Sequence, residues 1–147
     1  MTTPIPSDSR PILWNPNAAA NWSLLFTPAF GAYLHARNAD SLGREGEARA
    51  NRVWFYITLG YLGLVLLSIF APAIPPVVFR IVGTTILLGW YFTLAKDQIK
   101  HVKTTCQTGY QRKPWKNPLL IAVGCLLGYL VVSFGLAFIA KSVFGLE

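Results

Sequence analysis

The sequence predicts an all-α, polytopic membrane protein with three transmembrane helices and a broken N-terminal helix, interfacial or re-entrant. Three observations predict this class. Two apolar stretches of helix length flank a proline-rich turn, and a third lies near the C-terminus. In addition, 53% of the 147 residues are hydrophobic and 13% are charged, a balance typical of small membrane proteins rather than globular domains.

The first two predicted spans are residues 53–71 and 77–95. The first carries no charge, and a 19-residue helix reaches about 28 Å, close to the hydrocarbon thickness of a bilayer. Pro72, Pro75 and Pro76 lie in the turn between them, and proline ends a helix because it lacks a backbone donor and clashes with the preceding turn. Since the turn is short and uncharged, the two spans are expected to form an antiparallel hairpin.

Arg80 lies inside the second span, one turn after Pro76. An arginine at the bilayer centre costs about 2.5 to 3.5 kcal/mol on the insertion scale. Near a helix end, its guanidinium can reach the interface while its stem stays in lipid. We expect Arg80 to snorkel in this way; the alternative is an intramembrane ion pair or ligand contact.

The third predicted span is residues 119–140, with Asn117 as N-cap and Pro118 as the first helical residue. Small residues at helical spacing form a helix-packing face on it: Gly124, Gly128 and Gly135. Such residues let another helix backbone approach closely. The favoured interpretation is packing on the chain's own hairpin, and the alternative is contact with a second copy or a partner.

The net charge of +7 is distributed unevenly. Six cations crowd the loop between the second and third spans, where we expect contact with anionic lipid headgroups: Lys96, Lys100, Lys103, Arg112, Lys113 and Lys116. Because basic residues stay on the cytoplasmic side, this loop and the N-terminus are predicted inside, and the C-terminus outside, in the periplasm. Headgroups explain these charges better than nucleic acid does. Trp54, Trp90 and Trp115 are expected at headgroup level.

The N-terminal segment, residues 1–52, is predicted to be cytoplasmic or interfacial, and residues 53–145 form the bundle. Asn15-Pro16 and Thr27-Pro28 are helix start signals and Gly43 is a stop, so two short helices with a break near Thr27 are expected. Two amphipathic pieces lying in the inner interface are favoured. A re-entrant hairpin and a fourth span are the alternatives. We also expect the first transmembrane helix to begin near Arg44.

The stretch NAAANWSLLFTPAFGAYLHARN resembles an N-terminal segment of small, uncharacterised bacterial inner-membrane proteins. The residues that carry this resemblance are Asn21, Trp22, Pro28, Phe30, Gly31, His35 and Asn38. The resemblance implies a location in the bacterial inner membrane and does not imply an activity.

Chemistry-bearing residues are scarce. None of the six acidic residues lies in a predicted span, and there are two histidines, so we expect no catalytic residues, no metal and no cofactor. The sequence favours a non-enzymatic scaffold or accessory subunit that binds a protein partner or a second copy. An immunity-type protein that protects the membrane against a toxin is the alternative, and a transporter or channel subunit is third. The candidate partner contacts are Trp22, Phe26, Phe30 and His35.

Overall fold

The computed structural model describes residues 10–71, 73–106 and 109–145. Its helices are α1 (Pro16–Phe26), α2 (Pro28–Ser41), α3 (Glu45–Phe70), α4 (Pro76–Cys106) and α5 (Lys116–Phe144). Two short strands, β1 (Ile12–Leu13) and β2 (Gln111–Arg112), pair in parallel. α3, α4 and α5 are long and apolar enough to cross a membrane.

α3 and α4 form the expected hairpin. Close contacts join them: the Tyr61 hydroxyl donates to the Phe79 carbonyl at 2.6 Å, and the glycines at 83 and 89 leave room for Tyr61 and Trp54. Pro72 lies outside the described residues, and Pro76 is the first residue of α4. The three predicted spans are thus confirmed as three helices of sufficient length.

The helices extend past the predicted spans at the end where the loop between the second and third spans carries its six cations. We call this the basic end, and the loop the basic loop. α3 begins at Glu45, after Arg44, as expected. α4 continues to Cys106 and contains two wider π-helical segments, Tyr91–Ala95 and Val102–Cys106. α3 therefore runs across the predicted boundary between residues 52 and 53.

The two predicted proline-linked caps differ in outcome. The Asn15 side chain accepts hydrogen bonds from the backbone N–H groups of Asn17 and Ala18, so the α1 cap is confirmed. The predicted cap at Asn117 is wrong: α5 starts at Lys116, two residues before the predicted first helical residue Pro118, and no side chain caps it. Inside the first turn, Asn117 and Pro118 simply continue the helix, because proline needs no backbone donor there.

Thr27 separates α1 from α2 with φ 142° and ψ 161°. Residues with a side chain rarely adopt this conformation, which costs about 1 to 3 kcal/mol. Its N–H donates to the Ser23 carbonyl, and its own carbonyl accepts from Phe30 N–H, each at 3.1 Å. The reversal folds α1 back along α2.

The α1–α2 pair packs against the basic end of the α3–α4 hairpin. α2 runs antiparallel to α3, with the Tyr33 and Phe55 rings 6.0 Å apart and an ion pair between Asp40 and Arg52 at 2.7 Å. The β1–β2 pairing places residues 12–13 beside residues 111–112. The chain preceding α1 therefore lies next to the basic loop.

Candidate functional site

A cluster of buried polar side chains joins α2, α3 and α4 at the basic end. We call it the polar seam and define it as His35, Asn38, Glu47, Asn51, Trp90 and Gln98. All but Glu47 have no exposed surface. Polar groups in such a position need hydrogen-bond partners, because burial without one costs about 1 to 3 kcal/mol.

Trp90 is the centre of the seam. Its indole N–H donates to the Asn51 side-chain oxygen at 2.9 Å, and the Asn51 amide donates to the Glu47 carbonyl. The ring packs on small residues, notably Ala20 and Ala32. Trp90 is fully buried, because the α1–α2 pair covers it. Its expected place at headgroup level stays a prediction.

Gln98 links three helices. Its amide donates to the His35 carbonyl of α2 at 2.9 Å and to the Glu47 carboxylate of α3 at 2.6 Å. Glu47 also pairs with Arg44 at 2.5 Å, so the buried carboxylate charge is balanced. This arrangement ties the part of α4 beyond Ala95 to α2 and to α3.

The His35 imidazole is neutral. Its Nε2 lies 3.1 Å from the Pro16 carbonyl, and since a carbonyl can only accept, Nε2 carries the proton. Nδ1 lies buried without a partner among the described residues, and the ring meets Trp90 edge-on at 5.2 Å. Burial lowers the pKa of His35 to about 4, partly offset by the Pro16 bond.

Asn38 joins the segment before α1 to α2 by hydrogen bonds. Its side-chain oxygen accepts from Trp14 N–H at 3.0 Å, and its amide donates to the Trp14 carbonyl at 2.8 Å. The Trp14 indole N–H in turn donates to the Pro114 carbonyl at 3.1 Å. The seam thus continues from α2 to the basic loop.

The predicted partner residues have mixed placements. His35 is buried, so its selection as a partner contact is wrong: it holds α1 to α2. Trp22, Phe26 and Phe30 form a ladder across the Thr27 break, with ring centroids 5.7 and 5.4 Å apart. These three rings are half-buried, and the more exposed apolar side chains nearby are Leu24 and Leu25.

The favoured interpretation of the α5 glycines, packing on the chain's own hairpin, is not what the structure shows. A Cβ at Gly124, Gly128 or Gly135 would meet no described atom within 4 Å. α5 instead faces its neighbours along another side, where the Tyr129 hydroxyl donates to the Leu62 carbonyl at 3.3 Å. At 100° per residue, the glycines lie about 120° around the helix from that side.

The cations predicted to meet headgroups are exposed, apart from half-buried Lys113. Lys113 lies over the Trp14 ring, 4.4 Å from its centroid. Arg80 is exposed on α4 near the turn, and its snorkelling stays a prediction.

The polar seam was missed by sequence reasoning, although one signal could have indicated it. Alanines recur on one face of α2 at helical spacing: Ala29, Ala32, Ala36 and Ala39, all buried. This is the same small-residue pattern that we noted for the third span. It marks α2 as a helix that packs closely on another.

Comparisons with protein-family models, with curated proteins and with solved structures find no match for this chain. The fold therefore defines its class: a helical protein with three helices able to cross a membrane and a helical pair fastened to one end of them.

Proposed function

We propose that this chain is a non-enzymatic integral membrane protein of the bacterial inner membrane, acting as a scaffold or accessory subunit that binds a protein partner through α5. The observation that carries the proposal is the open glycine face at Gly124, Gly128 and Gly135. The positive-inside rule supports a cytoplasmic basic loop.

A row of glycines gives no benefit to a helix that contacts only lipid, because each glycine lowers helix stability by about 0.8 to 1 kcal/mol relative to alanine. Small residues favour association in a bilayer, because they let helix backbones approach and gain van der Waals contact. Since no atom of the described residues lies on this face, the occupant is a transmembrane helix of another molecule.

The test compares Gly128→Leu with Ala137→Leu, an exposed position about 180° around α5. Gly145 is no suitable control, because it ends α5 with φ 65° and any side chain there is strained. Two differently tagged copies are co-expressed and one is isolated, and co-purified proteins are quantified in parallel.

We expect Gly128→Leu to lose either the second copy or a specific partner, while Ala137→Leu retains it. If both variants keep every association of the unmodified chain, the glycine face is not an interface and the proposal is wrong.

The α1–α2 pair, in this proposal, is a re-entrant hairpin that enters the bilayer from the basic side. Tyr33 is level with Phe55, the third residue of the predicted first span. Thr27 lies six residues from Tyr33, about 9 Å deeper at 1.5 Å per residue. The tip therefore lies within the hydrocarbon layer, and Leu24 and Leu25, 73% and 64% exposed, face lipid. The pairing of β1 with β2 supports this placement over a fourth span, because both strands must lie on one side.

Nitroxide depth measurements test the hairpin. A spin label at Leu25→Cys should collide with oxygen, which concentrates in lipid, and resist a water-soluble nickel complex. A label at Asn17→Cys, eight residues earlier on α1, should show the reverse. Equal depths at both positions would favour helices lying flat in the interface.

A further inference from the structure

A cleft of about 350 Å³ opens where the start of α1 meets the part of α4 beyond Ala95. It is lined by residues 15–17, Ile99, Val102, Lys103 and Tyr110. Val102 is buried and Ile99 half-buried, so they form an apolar floor, whereas Asn17 and Lys103 are exposed. The volume falls within the range of about 300 to 1,000 Å³ that is usual for small-ligand sites.

The cations around this cleft lack acidic partners. Within residues 10–71, 73–106 and 109–145, the ion pairs are Arg44–Glu47 and Arg52–Asp40. Neither includes Lys103, nor Arg112 and Lys113, which the β1–β2 pairing places beside the chain that precedes α1. Partial burial and the nearby charge of Arg37 lower the pKa of Lys113. Like charges held together without a counter-charge favour a bound anion.

The cleft lies at the height of lipid phosphates. Ile99 follows Ala95, the last residue of the predicted second span, by four positions, which places it about 6 Å beyond the hydrocarbon. Lys103 lies about 12 Å beyond, and its flexible stem can reach back. The headgroup layer is about 5 to 8 Å thick on each side.

We propose that this cleft binds the phosphodiester headgroup of one anionic phospholipid from the leaflet on the basic side. Lys103 pairs with the phosphate, and the Asn17 amide donates a hydrogen bond to it. The positive end of the α1 helix dipole adds to the attraction, while Ile99 and Val102 contact the glycerol backbone. The proposal rests on the membrane placement argued above.

Phosphatidylglycerol titrated into the full-length protein in phosphatidylcholine nanodiscs tests the site, with native mass spectrometry counting retained lipids. We expect one phosphatidylglycerol to be held most tightly. Lys103→Gln should weaken it about fivefold, and Asn17→Asp, which places a negative charge in the cleft, at least as much. The matched control is Lys100→Gln, an exposed position on the same helix as Lys103 and outside the lining. It should change affinity less than twofold.

Equal losses at Lys100 and Lys103 would show a diffuse surface potential and overturn the site. Equal stabilisation by inorganic phosphate would show a plain anion site and overturn the assignment to lipid. Carbonate extraction separates the two levels of the proposal. A protein extracted from vesicles overturns the membrane placement itself, whereas one that is retained but shows no lipid preference overturns the cleft alone.

Discussion

α2 and α5 lie at opposite extremes of packing. α2 carries His35 and Asn38 and buries more than half of its residues. α5 is the most apolar of the three candidate spans, yet its buried residues among the described side chains are Pro118, Ala122 and Ala140. The more polar helix is inside the protein and the more apolar one is outside.

This reversal is the arrangement that a bilayer favours. Lipid chains are as apolar as leucine, so an apolar helix gains little by hiding from them. Polar groups that are buried away from water, in contrast, must find hydrogen-bond partners within the protein. The comparison predicts that substitutions in the polar seam and its α2 face are costly, whereas those on the outer face of α5 leave the fold intact.

Gly31→Ala should have the largest effect. A Cβ there would overlap the Ser23 hydroxyl and the Trp90 ring, and overpacking costs about 1 to 3 kcal/mol, occasionally more. We expect about 3 kcal/mol in the free energy of unfolding, measured in detergent micelles by tryptophan fluorescence. The control is Gly46→Ala in the first turn of α3, where a Cβ meets nothing within 4 Å. An equally small effect at both positions would show that α2 does not pack closely on Trp90.

The second-largest loss of stability should come from acidification, which destabilises the packing of α2. The pKa of His35 is about 4 in the folded chain and about 6.5 when unfolded. At pH values between these two, the unfolded chain binds one more proton than the folded chain. The free energy of unfolding is therefore highest above pH 6.5 and decreases as the pH falls to about 4. The total loss is about 3 kcal/mol. His35→Gln, which keeps a donor for Pro16, should remove this component, and an unchanged pH profile in that variant would refute it.

Asn51→Leu should follow, because it leaves the Trp90 indole N–H buried without its acceptor. An unsatisfied buried donor costs about 1 to 3 kcal/mol. Adding Trp90→Phe removes the donor as well, so the double variant should lose less than the sum of the two single losses. Simple additivity would mean that the bond does not contribute.

The smallest effect should come from Lys113→Gln at the edge of the seam. The ammonium lies over Trp14, and such a partly exposed contact contributes about 0.5 to 1 kcal/mol. The matched change Lys116→Gln, at an exposed position nearby, should be neutral. A loss above 2 kcal/mol at Lys113 would mean that the basic loop is part of the core.

The sequence predicted what hydropathy and local chemistry encode. Charge-free runs, the turn prolines and the Asn15-Pro16 cap gave the spans and the start of α1. Hydropathy does not encode partners distant in the chain: the Trp90–Asn51 bond joins residues 39 apart and the Gln98–His35 bond residues 63 apart. Trp90 has the sequence context of a tryptophan at the lipid interface, but in the fold its ring is covered by α2. The α5 glycines have the spacing of an internal packing face, but the hairpin contacts another side of α5.

The chain before α1 and the basic loop should meet on one side of a three-span protein. Ile12→Cys and Gln111→Cys, at positions paired across β1 and β2, test it in a background with Cys106 and Cys125 changed to serine. Each single-cysteine protein is treated with a membrane-impermeant thiol reagent in right-side-out and in inverted vesicles. We expect both cysteines to react from the same side, in inverted vesicles, where the cytoplasmic face is exposed. Labelling of the two positions from opposite sides would contradict it, because residues 16–41 would then cross the membrane.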